Sequence, residues 1–420
     1  MHSEKDYLTR VEGHGTIDIK VKNGRIEKAE WQVVETPRFF EAMMVDKHFD
    51  EVSLIVSRIC GICSIAHVTT SIRATERAFG VAVSEKTEIF RRILMNAETI
   101  QSHILHLYFL ALPDFLKAGS IFPIIAKNRN AAEIALRLKK LANDMCDVVG
   151  GRNTHPMTMI VGGFTRFPSK ENILILRKSL DNSVSDLIET SKIFMSFKIP
   201  VFERETEFVS LKGIKNYPWI GGELVSSDGV LKNENDYKSM TNEFMADWST
   251  SKLAKLSRGS FAVGALARIN NNFNLLHPKA RKICDNFKLR PVCYNPFMNN
   301  IAQLAECFHV VYETIELLDK ALDFDLSPEK VEVKPKKGKG VGAVEAPRGI
   351  LYHCNEYNEK GRIVHSDFII PTGQNHANIR EDLNKLVKDY SKKGYPDKEI
   401  ELLCQMLVRS YDPCISCSVH

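Results

Sequence analysis

Alternation of apolar and polar positions is confined to two parts of this chain. Thr16-Ile17-Asp18-Ile19-Lys20-Val21 alternates, Asn23-Gly24 follows, and a second extended run covers Ile26 to Val34. Alternation around an Asn-Gly pair predicts a β-hairpin. Its exit leads to Pro37-Arg38-Phe39-Phe40-Glu41. The second extended part comprises Gly349 to His353 and Ile363 to Ile370, around Asn358-Glu359-Lys360-Gly361.

Elsewhere the period is helical. From about Glu51 to Met195, apolar positions recur at three- and four-residue spacing. This predicts helices over Ala66 to Phe79, over Thr87 to Leu112 with Pro113 as its end, and over Asn130 to Val149 with Gly150-Gly151 as its stop. Another begins at Ser169 and runs to about Phe194, with Glu171 early and Lys192 late, as the helix dipole favours. Residues 200–232 read as extended and turn-rich. Helical pattern returns over Asp236 to Trp248 and Asn300 to Leu322. Lys334-Pro335-Lys336-Lys337-Gly338-Lys339-Gly340 reads as a basic loop. Two helices close the chain, Pro396 opening the last. Ile400, Leu403, Met406 and Leu407 form its buried stripe and anchor the segment beyond it.

These elements predict a mainly α (α+β) fold, a large multihelical body around a long-helix bundle with small peripheral β-hairpins. No low-complexity linker interrupts it, so 1–420 reads as one domain. Within it, 1–50 is the N-terminal hairpin region, 51–200 the helical bundle, 325–375 the second β region and 376–420 the C-terminal helices and tail.

Composition narrows the classes. The 44% apolar and 26% charged content is that of an ordinary globular protein. A net charge of +5, with lysines spread among acids, gives no reason to expect nucleic acid. The Lys334–Gly340 run reads as a solvated connector or a docking face for an acidic partner. The first residues are polar, with no apolar signal-peptide core, and no apolar run reaches the roughly 20 residues of a spanning helix. The expected location is the cytoplasm, where ten cysteines stay reduced.

Four of those cysteines carry the chemistry. Cys60-Gly61-Ile62-Cys63 and Cys414-Ile415-Ser416-Cys417 are two C-x-x-C pairs about 350 residues apart. The other six (Cys146, Cys284, Cys293, Cys307, Cys354, Cys404) have no such spacing and read as small buried hydrophobes. One pair alone fits a redox dithiol but lacks the βαβ context of one. Two pairs together fit a structural Cys₄ zinc site, although such sites are usually local knuckles. A third reading is a catalytic centre, since soft thiolates suit nickel and iron and can bridge two metals.

Arg58-x-Cys60-Gly-x-Cys63-x-x-x-His67 and Asp412-Pro413-Cys414-x-x-Cys417-x-x-His420 resemble the two signature motifs of the nickel–iron hydrogenase large subunit. Arg10-Val11-Glu12-Gly13-His14, Glu345-Ala346-Pro347-Arg348-Gly349, and Pro371-Thr372 with Asn375 resemble further family motifs, in family order along nearly the whole chain. The resemblance implies the following roles. Cys60 and Cys414 are terminal nickel ligands, and Cys63 and Cys417 bridge nickel to an iron that carries carbon monoxide and cyanide. His67 hydrogen-bonds a bridging sulfur. Glu12 takes protons from Cys414. Arg348, steadied by Asp412 and preceded by Pro347, hangs over the open side of the metals. Its backbone and the Thr372 hydroxyl hold the cyanides. Glu41, His420 and the carbonyl of Phe368 hold a second ion, Mg²⁺ or Fe²⁺. His103 and His106 are network residues rather than ligands. Ser102 stands where many relatives have an acid. Ending at His420 matches the family's mature form.

The implied reaction is reversible heterolytic cleavage of H₂. Electrons then leave through a small subunit carrying iron–sulfur clusters, because no cysteines here keep that spacing. Further electron-transfer subunits are implied, of flavin/NAD(P), deazaflavin or heterodisulfide-reductase type, with a lean toward the sulfhydrogenase or viologen-reducing enzymes. The alternatives are a non-catalytic zinc-stapled subunit and the structural Complex I relative, which lacks the four cysteines.

Overall fold

The computed structural model describes residues 6–22, 25–123 and 129–420. Asn23-Gly24, where the hairpin turn is expected, and the polar first five residues lie outside them. Strands β1 (Gly15–Lys22) and β2 (Arg25–Val33) pair antiparallel. The bundle follows as α1 (Ser64–Phe79), α2 (Glu85–Leu105), α3 (Arg129–Gly150) and α4 (Lys170–Met195). Ser84 and Ser169 cap α2 and α4, accepting the amides of Thr87 and Asn172. Gly151, at φ +80°, turns the chain out of α3. Helix α5 (Asn299–Ala321) lies against α2 and α4 and is buried along most of its length.

The second β region is a three-stranded antiparallel sheet of β3 (Gly338–Ala346), β4 (Gly349–Tyr357) and β5 (Ile363–Ile369). Helix α6 (Pro371–Lys392) starts directly after it and is followed by α7 (Asp397–Ser410). The fold is thus multihelical with small sheets, as expected, and among the described residues no helix is long and apolar enough to cross a membrane.

Three local expectations need correction. The run Lys334–Gly340 is not wholly a loop, because its last three residues begin β3. Gly338, Gly340 and Gly342 face α1 so closely that a Cβ on Gly340 would lie 1.9 Å from the Ala74 carbonyl oxygen. Glycine at every second position lets the strand lie on the helix backbone. Pro113 does not end the second long helix. The helix widens into a π segment over His106–Ala111, and Pro113 sits in the next turn, Leu112–Phe115. A proline needs no amide acceptor, and the rearranged ladder accommodates it. Finally, Asp236–Trp248 is helical only to Thr241. Asn242 takes a left-handed conformation, and Phe244–Ala246 then pairs with Ser249–Leu253. Strand pairing overrides local propensity there.

Candidate metal centre

The two C-x-x-C pairs come together. Cys60 lies in the turn before α1 and Cys63 is its N-cap. Cys414 and Cys417 flank the start of the last short helix, Ile415–Ser418. The four sulfurs all lie within 4.8 Å of one another. Cys60 Sγ is 3.4 Å from Cys414 Sγ, and Cys63 Sγ is 3.4 Å from Cys417 Sγ.

Several contacts deliver the tail to this place. Asp412 adopts φ +50°, and its ring-side neighbour Pro413 leads into Cys414, whose residue forms a parallel bridge with Glu12. The Cys414 amide donates to Thr372 Oγ1 at 2.9 Å. Arg38 ties both pairs together, donating to the carbonyl oxygens of Ile59 and Ser416. Gly13, at φ +84°, has room only for hydrogen, because a Cβ would meet Ile415 Cβ at 2.7 Å. Asp412, Cys414, Ile415, Cys417, Ser418 and Val419 are all buried. Their burial seats this segment in the core beside Cys60 and Cys63.

The electrostatics call for a cation. Hydrogen bonding from Cys414, Cys417 and Cys63 pulls the Cys60 thiol well below its usual range. Burial pushes Cys414 and Cys417 well above it. Bonds with Cys414 and Cys417 pull Cys63 down, yet Cys60 and burial outweigh them and leave it at about 11. Such a cluster ionises once with ease and resists further loss of protons. Four thiolates fit here only with bound metal to balance them.

Arg348 completes the centre. It is buried, and its Nε lies 3.0 Å from Asp412 Oδ1. Burial alone would depress this guanidinium; Asp412 and the thiols of Cys414, Cys60 and Cys63 keep it firmly charged. Its Nη1 and Nη2 are buried without a hydrogen-bond partner, an unusual cost for protein atoms. Donors left open beside four sulfurs suit small acceptor ligands on a metal.

Each remaining candidate can be placed. Glu12 accepts the Ser416 amide at 3.1 Å and the Ser416 hydroxyl, so its carboxylate sits beside the tail. His67 pairs its Nδ1 with His353 Nε2 at 3.0 Å, and burial lowers it to about 3, so it is neutral. The Thr372 oxygen goes to the Cys414 amide, and the Pro347 carbonyl accepts from Arg268 at 3.0 Å. His420 Nε2 is buried without a hydrogen bond, 3.5 Å from Glu41 Oε1. Burial pushes Glu41 up, but His420 and the Phe368 amide hold it below its usual range. Glu41 meets Phe368 through that amide N–H, at 2.8 Å. A cation between Glu41 and His420 would give the orphaned imidazole nitrogen a partner. His103 and His106 are network residues, pairing with Glu306 and Gln303. Ser102 Oγ is buried and unpartnered.

Sequence reasoning missed four supports. Arg268 grips Glu306 through two nitrogens, reaches Glu345, and donates to the carbonyls of Ala346 and Pro347, which fixes the segment carrying Arg348. Gln303 donates to Asp412 Oδ2 at 3.0 Å. His353 joins His67 to Ser71. Glu98 receives the amides of Ile65 and Ala66. The available signal was a charged residue on an otherwise apolar helix stripe, as at Glu98, Arg268 and Glu306.

Fold and centre together define a multihelical protein that closes a four-thiolate metal site with its own C-terminal tail. Residues 38–135 and 232–420 match the family model for nickel-dependent hydrogenases, and residues 6–36 match one described as HoxL-like. Sulfhydrogenase 1 subunit alpha of Pyrococcus furiosus is 34% identical over 422 residues, covering 99% of this chain and 97% of that protein. Sulfhydrogenase 2 subunit alpha of the same organism is 32% identical over 425 residues, covering 99% and 98%. Among solved structures, an NAD⁺-reducing nickel–iron hydrogenase in the H₂-reduced state superposes with a TM-score of 0.87 at 25% identity, covering 99% of this chain and 98% of that one. The chain belongs to the nickel-dependent hydrogenase family.

Proposed function

We propose that this chain is the catalytic subunit of a nickel–iron hydrogenase that cleaves and forms H₂ reversibly. The observation carrying this reading is the buried four-sulfur cluster with the open Nη1 and Nη2 donors of Arg348 beside it. When bound, a nickel–iron pair with carbon monoxide and cyanide on iron supplies an open position and the Lewis acidity for heterolysis. Cys60, Cys414, Cys63 and Cys417 would hold the pair, Cys60 and Cys414 on nickel alone and Cys63 and Cys417 shared with iron. Arg348, kept in place by Asp412, would hold positive charge beside the metals and offer its Nη1 and Nη2 donors to ligands there. The Cys414 sulfur would take the proton, and Glu12, already on the Ser416 amide, would pass it outward. Glu41 and His420 hold Mg²⁺ or Fe²⁺, which pins the tail; the Phe368 carbonyl remains the third proposed ligand.

Electrons leave singly. The six other cysteines are scattered, and all but Cys293 are buried. A small subunit with iron–sulfur clusters therefore receives the electrons and passes them, through flavin or other electron-transfer subunits, to a soluble acceptor in the cytoplasm. The whole of 1–420 acts as one domain in that assembly. The test is hydrogen–deuterium exchange by the assembled complex with Glu12→Gln. Exchange should fall steeply while nickel and iron content holds. Loss of the metals in that variant would make Glu12 a structural residue and remove the proton path.

A further inference from the structure

A residue at a helix N-cap ordinarily turns its side chain back to accept the amide of the second or third helical residue. Cys63 occupies that position on α1 and makes no such bond. The two amides go elsewhere. Ile65 N donates to Glu98 Oε1 at 2.6 Å, and Ala66 N donates to Glu98 Oε2 at 3.0 Å. Glu98 lies on α2 and is 1% exposed. The other sulfur of the pair is treated differently, for Cys60 Sγ accepts the amides of Ile62 and Cys63 at 3.3 and 3.4 Å. One thiolate of the C-x-x-C thus carries two backbone hydrogen bonds. The other receives no backbone amide among the described residues.

We infer that Glu98 caps α1 from a neighbouring helix so that the Cys63 sulfur stays free of amide hydrogen bonds and keeps its electron density for the metals. Glu98 is a positioning residue acting through Cys63, and the inference rests on the reading in which Cys63 bridges nickel and iron. The asymmetry has a chemical consequence. Hydrogen bonds to metal-bound sulfur withdraw charge and tune the metal. Cys60 is muted in this way and Cys63 is not. The same cap satisfies two helix-terminal donors that would otherwise be buried and unpaired.

The test is infrared spectroscopy of the purified, metal-loaded complex, reading the carbon monoxide and cyanide stretches. Glu98→Ala releases both amides toward the Cys63 sulfur. Iron then loses charge to give back to its diatomic ligands, and the carbon monoxide band moves up. Glu98→Gln keeps one acceptor oxygen and should move it up less. The expected order is wild type, then Gln, then Ala, at undiminished nickel and iron content. Bands that stay put or fall in both loaded variants overturn the inference. So does a folded Gln variant without metals, which would make Glu98 a residue of metal assembly. Absence of the bands in the wild type defeats the nickel–iron reading itself, a distinct failure that takes this inference with it.

Discussion

Replacing Asp412 with Asn tests the pair that holds Arg348 in place. The two groups are 3.0 Å apart, with side chains 3% and 1% exposed. At an effective dielectric of about 20, Coulomb attraction at that distance is about 5.5 kcal/mol. Asn keeps the shape and can still accept from Gln303, but it removes the carboxylate that faces the guanidinium. Removing one partner of a buried pair typically costs about 3–5 kcal/mol. Unfolding entropy near 2 cal/mol/K per residue gives about 0.9 kcal/mol/K over 420 residues. The melting temperature at pH 7 should therefore fall by about 3–6 °C, read by calorimetry at matched metal content. Burial pushes the Asp412 carboxyl up, and Arg348 more than offsets this, so its folded value is below the usual one. Its stabilisation is then present above the unfolded value near 4 and lost as pH falls through the folded value. The gap between wild type and variant should close in acid. An Asp412→Asn protein that melts with the wild type at pH 7 would refute this account of Arg348.

Gly340→Ala puts a Cβ 1.9 Å from the Ala74 carbonyl. It should cost more than about 4 kcal/mol, or prevent folding, in denaturant titration, whereas Gly259→Ala meets nothing within 4 Å and carries only the strain of its φ of +82°. Burial lowers His376 to about 4 while its Nε2 donates to the Trp31 carbonyl. A depressed histidine costs stability as pH falls from the unfolded value near 6.5 toward 4, by about 1.4 kcal/mol per unit. His376→Gln, which keeps a donor, should flatten that limb of the stability–pH curve; an unchanged slope would contradict it. Arg268→Lys cannot hold Glu306 through two nitrogens and still reach Glu345 and both carbonyls. It should lower kcat for H₂ with little change in nickel content, and an unaltered kcat would show that Arg348 needs no such support.

The long helices were legible because each carries an apolar stripe and a readable end, such as Ser169 or Gly150-Gly151. The centre was legible because two paired cysteine motifs flank the chain, and their joint meaning is specific. Strand β3 was hidden because its inner face is glycine, which contributes shape but no hydrophobic signal. The hairpin after Thr241 was hidden because strand pairing is decided by a partner rather than by its own residues. Arg268, Glu306 and Glu98 belong to no motif, and although each interrupts an apolar stripe, their partners are set by the fold. His353 was read only as part of a strand, and its link to His67 depends on β4 lying against α1.

The most direct measurement is metal analysis combined with infrared spectroscopy on the purified complex. The four buried sulfurs with Arg348 beside them predict nickel and iron together, with carbon monoxide and cyanide stretching bands. Zinc in their place, or no transition metal at all, would contradict the assignment of this site.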